Sequence, residues 1–144
     1  MKKYFLALLF CAVSTLIFGQ QRGNRKDPPQ SVQRSWKKDY PNRDNEEWEW
    51  KNNQWRTRYK DRDNNNRNVD VYYDKNGKRK YSQTEWDRRD LPARVQNRIR
   101  TRYRTDNYSA YKVQRSSGGF YFQITLGNNR NVYLDNQGRE TSHY

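Results

Sequence analysis

The sequence predicts an α+β fold of two tandem α-β-β-β(β) units, each a helix packed on one face of an antiparallel sheet. Three observations predict it. Blocks of sequence recur 63 residues apart, each block opens with a proline and apolar residues at i, i+4 and i+8, and the apolar period then changes to two.

The repetition is legible letter by letter. Pro29, Val32, Gln33 and Tyr40 recur as Pro92, Val95, Gln96 and Tyr103, with Trp36 answered by Ile99. Trp48 and Trp50 line up with Tyr111 and Val113, and residues 65–69 return unchanged as 128–132. Asp74 and Gly77 then correspond to Asp135 and Gly138, now 61 apart, an even slip that preserves strand parity. The units span 27–86 and 90–144.

Within each unit the elements follow in the same order. Asp27 and Asp90 are placed to cap helix N-termini, with Pro29 and Pro92 in the first turn, where a missing N–H costs nothing. Val32, Trp36 and Tyr40, and again Val95, Ile99 and Tyr103, form a narrow apolar stripe. Pro41 stops the first helix, and the second fades near Thr105, Asp106 and Asn107. Strands follow. Trp48 and Trp50 alternate with Glu49 and Lys51; Trp55, Thr57 and Tyr59 with Arg56, Arg58 and Lys60; Val69, Val71 and Tyr73 with Asp70, Tyr72 and Asp74. A fourth strand is expected around 80–85. In the second unit Tyr111 and Val113 lead to Phe120, Phe122, Ile124 and Leu126, alternating with Tyr121, Gln123 and Thr125, and Val132 and Leu134 close the set. An Asp-x-x-Gly turn follows the third strand of each unit, with Gly77 or Gly138 able to adopt positive φ.

Composition narrows the function. The 144 residues carry 30 Lys and Arg against 16 Asp and Glu, a net charge of +14. Lys2 and Lys3, the apolar run 4–18 and Gly19 before Gln20 read as a cleavable signal peptide over 1–19, followed by a flexible segment over 20–26. The apolar run has 15 residues, short of the ~20 that a spanning helix needs. Cleavage would remove Cys11, the only cysteine, and leave +12. Cys11 follows a bulky Phe10 in mid-run and does not read as a lipidation site. With His143 the only histidine, a disulfide, a thiol nucleophile, a Ser-His-Asp triad and a His- or Cys-ligated metal are not expected. No enzyme activity, cofactor or metal is expected. Beyond the leader only 13 residues are Leu, Ile, Val or Phe, so five Trp and eleven Tyr must supply the buried area.

The helix opening Leu91-Pro92-Ala93-Arg94-Val95, the Tyr103 near its end, and the turns Val71-Tyr72-Tyr73-Asp74-x-x-Gly77 and Val132-Tyr133-Leu134-Asp135-x-x-Gly138 resemble the exported PepSY-like, beta-lactamase-inhibitor-like proteins. The resemblance covers the whole chain after the leader. It implies a tandem α+β protein of the periplasm or the medium, related to propeptide domains of secreted metallopeptidases. It also implies no catalytic residues and a partner protein gripped by the open sheet face. The net charge is more basic than the resemblance implies.

Two surfaces stand out as candidate sites. The polar face of the strands is expected to present Arg56, Arg58 and Tyr72, with Glu49, and then Lys112, Tyr121 and Gln123, residue types that concentrate interface energy. The plainer reading is a solvated face with cross-strand pairs such as Arg58 with Asp70. The second candidate is the helix row Arg94, Arg98 and Arg102, with Arg100 and Arg104 beside it and no acid between 91 and 105. Such a row could follow the phosphates of lipopolysaccharide or extracellular nucleic acid; a solubilising helix face is its plainer reading. Asp61, Asp63 and Asn65 imitate the start of a calcium loop, but Asn66 and Tyr72 replace the glycine and glutamate such a loop requires. Glu46, Glu47 and Glu49 form the one dense carboxylate run, without an opposing pair. The expected function is a monomeric, non-enzymatic exported binding module that inhibits or escorts another secreted or envelope protein; the alternative is a polyanion binder.

Overall fold

Val32 and Trp36, one helical turn apart, turn the same side of helix α1 (Gln30–Asp39) inward, and both are fully buried. The computed structural model describes residues 27–43 and 47–143. The expected signal peptide, the segment 20–26 and Glu46 lie outside the described residues. Helix α1 starts directly after Pro29, whose φ of −54° suits the entry to a helix, and it has no side-chain cap. Gln33 Nε2 instead donates to the Pro28 carbonyl at 2.8 Å. Lys37 and Lys38 in the last turn complement the helix dipole.

The second helix repeats this arrangement. Asp87 accepts from the Arg89 N–H and opens a 3-10 turn over Arg88–Asp90. Helix α2 (Ala93–Arg98) then begins after Pro92, again without a side-chain cap, and Gln96 Nε2 donates to the Leu91 carbonyl at 2.7 Å. The aspartate caps expected at Asp27 and Asp90 are therefore replaced by a glutamine reaching back over the first turn. Beyond Arg98 the helix widens into a π turn, Ile99–Tyr103, and ends at Arg104 in the left-handed conformation with φ 50°.

Among the described residues seven strands follow one another in a single antiparallel sheet: β1 (Glu47–Lys51), β2 (Gln54–Asp61), β3 (Arg67–Tyr73), β4 (Arg79–Trp86), β5 (Tyr108–Arg115), β6 (Phe120–Leu126) and β7 (Asn131–Leu134). The expected fourth strand of the first half is β4, and its pairing with β5 from Tyr81↔Arg115 to Trp86↔Ala110 makes the sheet continuous. Both helices cover the same side. Val32 and Trp36 pack on Trp55, Val69, Val71 and Tyr73, while Leu91, Val95 and Ile99 pack on Ala110, Phe122, Ile124, Val132 and Leu134. The first cluster contains only three aliphatic residues, all valines. Rings fill the remainder: Trp36 stacks on Tyr40 with centroids 4.5 Å apart and meets Trp48 and Tyr59 edge-on at 5.9 Å each.

One strand departs from the expected parity. Tyr111 and Val113 pair with Gln123 and Tyr121 on the open side, and Lys112 pairs with Phe122 on the helix-bearing side. The cause is the hairpin. Lys51↔Gln54 closes β1–β2 over two residues, whereas Gln114↔Phe120 leaves five between β5 and β6. The difference of three is odd, so β5 is shifted by an odd number of residues relative to β1 and its side chains exchange faces.

The Asp-x-x-Gly turns fasten each helix to its sheet. Asp74 accepts from the N–H groups of Asn76 and Lys78 at 2.9 and 3.0 Å, and Asp135 accepts from Gln137 and Arg139 at 2.8 and 2.9 Å. Gly77 and Gly138 hold φ of 89° and 75°, and a Cβ on either would stand 2.6 Å from a helix carbonyl oxygen, that of Ser31 or Arg94. Gly77→Ala and Gly138→Ala are each expected to destabilise the protein by about 2 kcal/mol or more, through left-handed strain and the backbone clash together. Thermal melts unchanged by either substitution would contradict this. Thr57 is buried among rings, and its hydroxyl has no hydrogen-bond partner among the described residues. Thr57→Val keeps the shape and removes the unmet polar group, so an increase of about 1 kcal/mol in unfolding free energy is expected from chemical denaturation.

Candidate functional site: the open face of the sheet

With α1 and α2 on one side, the other side of the sheet has no helix over it among the described residues. Its charged end lies on β1 to β3. Arg58 donates twice to Asp70, from Nε to Oδ1 at 2.6 Å and from Nη2 to Oδ2 at 2.9 Å. The hydrogen bond to Asp70 is the main reason that the Arg58 pKa is raised. Asp70 is buried, Arg56 approaches it at 3.9 Å, and Arg56 also donates to Glu49. The guanidinium groups therefore neutralise carboxylates of their own sheet, and the Arg58–Asp70 pair is the one anticipated under the solvated-face reading.

The centre of the face is aromatic. Tyr72 and Tyr81 stack at 4.4 Å with planes 22° apart, and Tyr121 meets Tyr133 edge-on at 5.7 Å. The Arg115 guanidinium lies 4.7 Å over the Tyr121 ring, and its Nη2 donates to the Ser142 carbonyl at 2.7 Å. His143 stacks on Tyr133 at 4.6 Å. Val113 is fully buried and Tyr121 is only 6% exposed, although among the described residues no helix lies over either of them. Burial, then the neighbouring Tyr72 and Tyr121, pushes the Tyr81 hydroxyl up to about 12. Burial raises Tyr72 and Tyr121 in the same way. These rings stay neutral at physiological pH, and the centre of the face offers aromatic surface and hydroxyl groups with Arg115 as the cation among them.

Of the residues expected on this face, Arg56, Arg58, Tyr72, Tyr121 and Gln123 are there. Lys112 is not: it lies on the helix-bearing side with its Nζ 4.5 Å from the Phe120 ring centre and 5.1 Å from that of Trp86. Sequence reasoning missed Tyr81, Gln83, Tyr111, Arg115 and Tyr133. The alternation Tyr81, Gln83, Glu85 along β4 carried a signal for two of them, since Tyr81 pairs directly with Tyr72.

The arginines of the second helix do not form one row. Arg98 is partly buried and its Nε donates to the Gly138 carbonyl at 2.8 Å. Arg94 donates to the Gln137 side chain, and Arg100 donates to Asn97 Oδ1 at 2.6 Å. The π turn moves Arg102 out of line, and Arg104 follows in the left-handed cap. Arg102 instead borders a cleft of about 510 Å³ with Tyr103, Arg130, Tyr133, Glu140 and Thr141. Tyr103 Oη donates to Glu140 there at 2.7 Å, and Arg130 lies 5.4 Å over the Tyr103 ring.

The remaining candidates fall on ordinary structure. Asp61 lies 3.6 Å from Arg43, and Asn65 and Asn66 occupy the β2–β3 turn with φ of 53° and 54°. Glu47 and Glu49 share the open face through their pairing with Arg58 and Arg56. Among the described residues no group of three or more His, Cys, Asp or Glu could hold a metal ion, and no helix is long and apolar enough to cross a membrane.

No family model matches the chain, and no curated protein matches it. Solved structures do. A DUF2874 family protein from Bacteroides ovatus ATCC 8483 aligns with a TM-score of 0.69 at 18% identity, over 81% of this chain and 86% of that one. A candidate periplasmic protein from Bacteroides eggerthii DSM 20697 aligns with a TM-score of 0.67 at 19% identity, over 81% and 88%. A BLIP-like protein from Bacteroides fragilis NCTC 9343 aligns with a TM-score of 0.65 at 20% identity, over 83% and 86%. At this identity the likeness is one of architecture: the chain has a BLIP-like α+β fold.

Proposed function

We propose that the protein is a non-enzymatic exported binding module that grips another secreted or envelope protein through the open face of its sheet. The observation that carries the reading is the tyrosine field on that face, with Arg115 and Gln123 within it and, among the described residues, no helix above it. Tyrosine and arginine concentrate binding energy at protein interfaces, and rings already stacked against one another lose little side-chain freedom on binding. The names of the structures it resembles, BLIP-like and candidate periplasmic, support an envelope setting. The sequence pattern over 1–19 supports export by a signal peptide. The equivalent close approaches of Gly77 to Ser31 and Gly138 to Arg94, 63 residues apart on the helix side, support an origin as two tandem PepSY-like units.

The polyanion alternative rests on net charge and on the arginines of residues 94–104. It has weaker support, because Arg98 is engaged with the Gly138 carbonyl and the arginines point to different surroundings.

The test begins with capture of a partner from envelope extract by the exported protein, at low and high salt, followed by titration of the captured partner. Tyr111→Ala and Gln83→Ala, both half-buried on the open face, are expected to weaken that complex roughly tenfold each with little change in melting temperature. Lys112→Ala, on the other side of the sheet, is expected to leave it intact. Equal binding by the open-face variants would remove the proposal. Arg58→Glu is a poor probe, since it sets a carboxylate against the buried Asp70 and disturbs folding as well. A polyanion binder is expected to lose affinity steeply with salt through counterion release, and a complex retained at high salt argues against that alternative.

A further inference from the structure

We propose that the protein self-associates through β1, which pairs antiparallel with β1 of a second copy about a two-fold axis at Glu49. The inference is independent of what the open face binds, and it departs from the monomer expected of the sequence.

The two edges of the sheet are unlike. The outer side of β7 is covered by the chain itself at its C-terminal end, since Leu134 bridges to Glu140 and the Thr141 N–H donates to the Tyr133 carbonyl at 2.9 Å. At the other edge β1 is the terminal strand, and among the described strands it pairs with β2 alone. It contains no proline and no bulge, two of the devices that blunt such an edge, and its charges, Glu47, Glu49 and Lys51, are of both signs and can pair with those of a second copy.

The β1–β2 hairpin determines which backbone groups face outward. Asn52 and Asn53 both have positive φ, 51° and 58°, as a two-residue type I′ turn requires. In such a hairpin the residues flanking the turn, here Lys51 and Gln54, form a hydrogen-bonded pair. Alternation then directs the N–H and C=O groups of Lys51, Glu49 and Glu47 toward β2, and those of Trp48 and Trp50 outward. An antiparallel copy centred on Glu49 sets Trp48 against Trp50 of the second copy and Trp50 against its Trp48. Every outward N–H and C=O of the two tryptophans then meets a complement, and every residue of the strand is opposed.

The side chains agree with this register. Trp50 is 40% exposed on the helix-bearing side, and the cross-strand tryptophan of the second copy would cover it. On the open side Glu47 meets Lys51 of the second copy, twice by symmetry. The two Glu49 carboxylates come together at the axis, and each already accepts from its own Arg56. The neighbouring registers are worse. Centring on Trp48 opposes Glu47 with Glu49, and centring on Trp50 carries the strand past its turn and leaves Trp48 opposite Asn52. Association in the chosen register would also place the tyrosine fields of the two copies on one continuous sheet surface, separated by β1 and β2 of each copy, so that the pair could bind a partner bivalently.

The test is sedimentation velocity on the exported protein over a concentration series. A reversible monomer–dimer equilibrium is expected. Lys51→Glu opposes two glutamates and Glu47→Lys opposes two lysines, so each single variant is expected to raise the dimer dissociation constant roughly tenfold. The double variant Glu47→Lys with Lys51→Glu restores opposite charges only in the register centred on Glu49, and it is expected to return the dissociation constant to near that of the parent. A protein that remains monomeric across the series overturns the proposal. So do single variants that dimerise as well as the parent, or a double variant that fails to recover.

Discussion

Pairing of β4 with β5 is the constraint on which the rest of the molecule depends. Because Ser82 opposes Gln114 and Trp86 opposes Ala110, the parity of the first half runs unbroken into the second, and both helices come to lie on the same side of one sheet. A slip of one residue at this junction would send α2 to the opposite side and bury the tyrosine field beneath it. The junction is held by more than its ladder. The Trp86 indole donates to the Asp90 carbonyl at 3.2 Å, Arg67 lies 4.1 Å over its ring, and Arg67 also pairs with Asp90. One side chain thus ties β3, β4 and the approach to α2 together.

The shortage of aliphatic residues determines the character of the two cores. Around α1 the valines supply too little area, and Trp36, Tyr40, Trp48, Tyr59 and Tyr73 interlock instead. Rings bring polar tips, and several tips are met at the border of the core: Tyr73 Oη donates to Asp39 at 3.2 Å, and Arg79 donates to Tyr40 Oη at 3.4 Å. Around α2, Leu91, Ile99, Ile124, Leu126 and Leu134 allow a more conventional core. The two halves meet the same folding problem with different core side chains, which accounts for a repeat that persists at the helix-opening Pro and Val and at the Asp and Gly of the turn while Trp36 gives way to Ile99.

Arginine has at least two tasks in this protein. Some guanidinium groups complete the structure: Arg58 neutralises a buried aspartate, Arg98 satisfies the carbonyl of a tight turn, and Arg67 lies on Trp86. Others remain toward solvent and contribute mainly to net charge. High basicity alone is therefore a weak guide to function here, while the neutral aromatic field on the open face is a more specific one.

Much of the architecture is legible in the sequence. Period-four stripes located both helices, period-two alternation located the strands other than β4, and the fourth strand expected around 80–85 falls within the observed Arg79–Trp86. Local periodicity suffices for this because it records which residues must avoid water. The open face was legible at Arg56, Arg58, Tyr72, Tyr121 and Gln123, whose strands keep the expected parity. It was misread at Lys112 and missed at Tyr81, Tyr111 and Tyr133. The orientation of β5 depends on how many residues its hairpin inserts, and the sequence alignment with β1 carried no record of that number. The single row of arginines was likewise an extrapolation of α-helical spacing beyond Arg98, where the backbone widens into a π turn. By itself, then, the sequence determined the order and kind of the main elements and most of the residues that are buried, through local periodicity and turn chemistry, but not the burial of Asp70 and Tyr121. Which side chains share a surface was decided only by the tertiary structure, because a face is a sum of registers across seven strands and one odd loop reverses it.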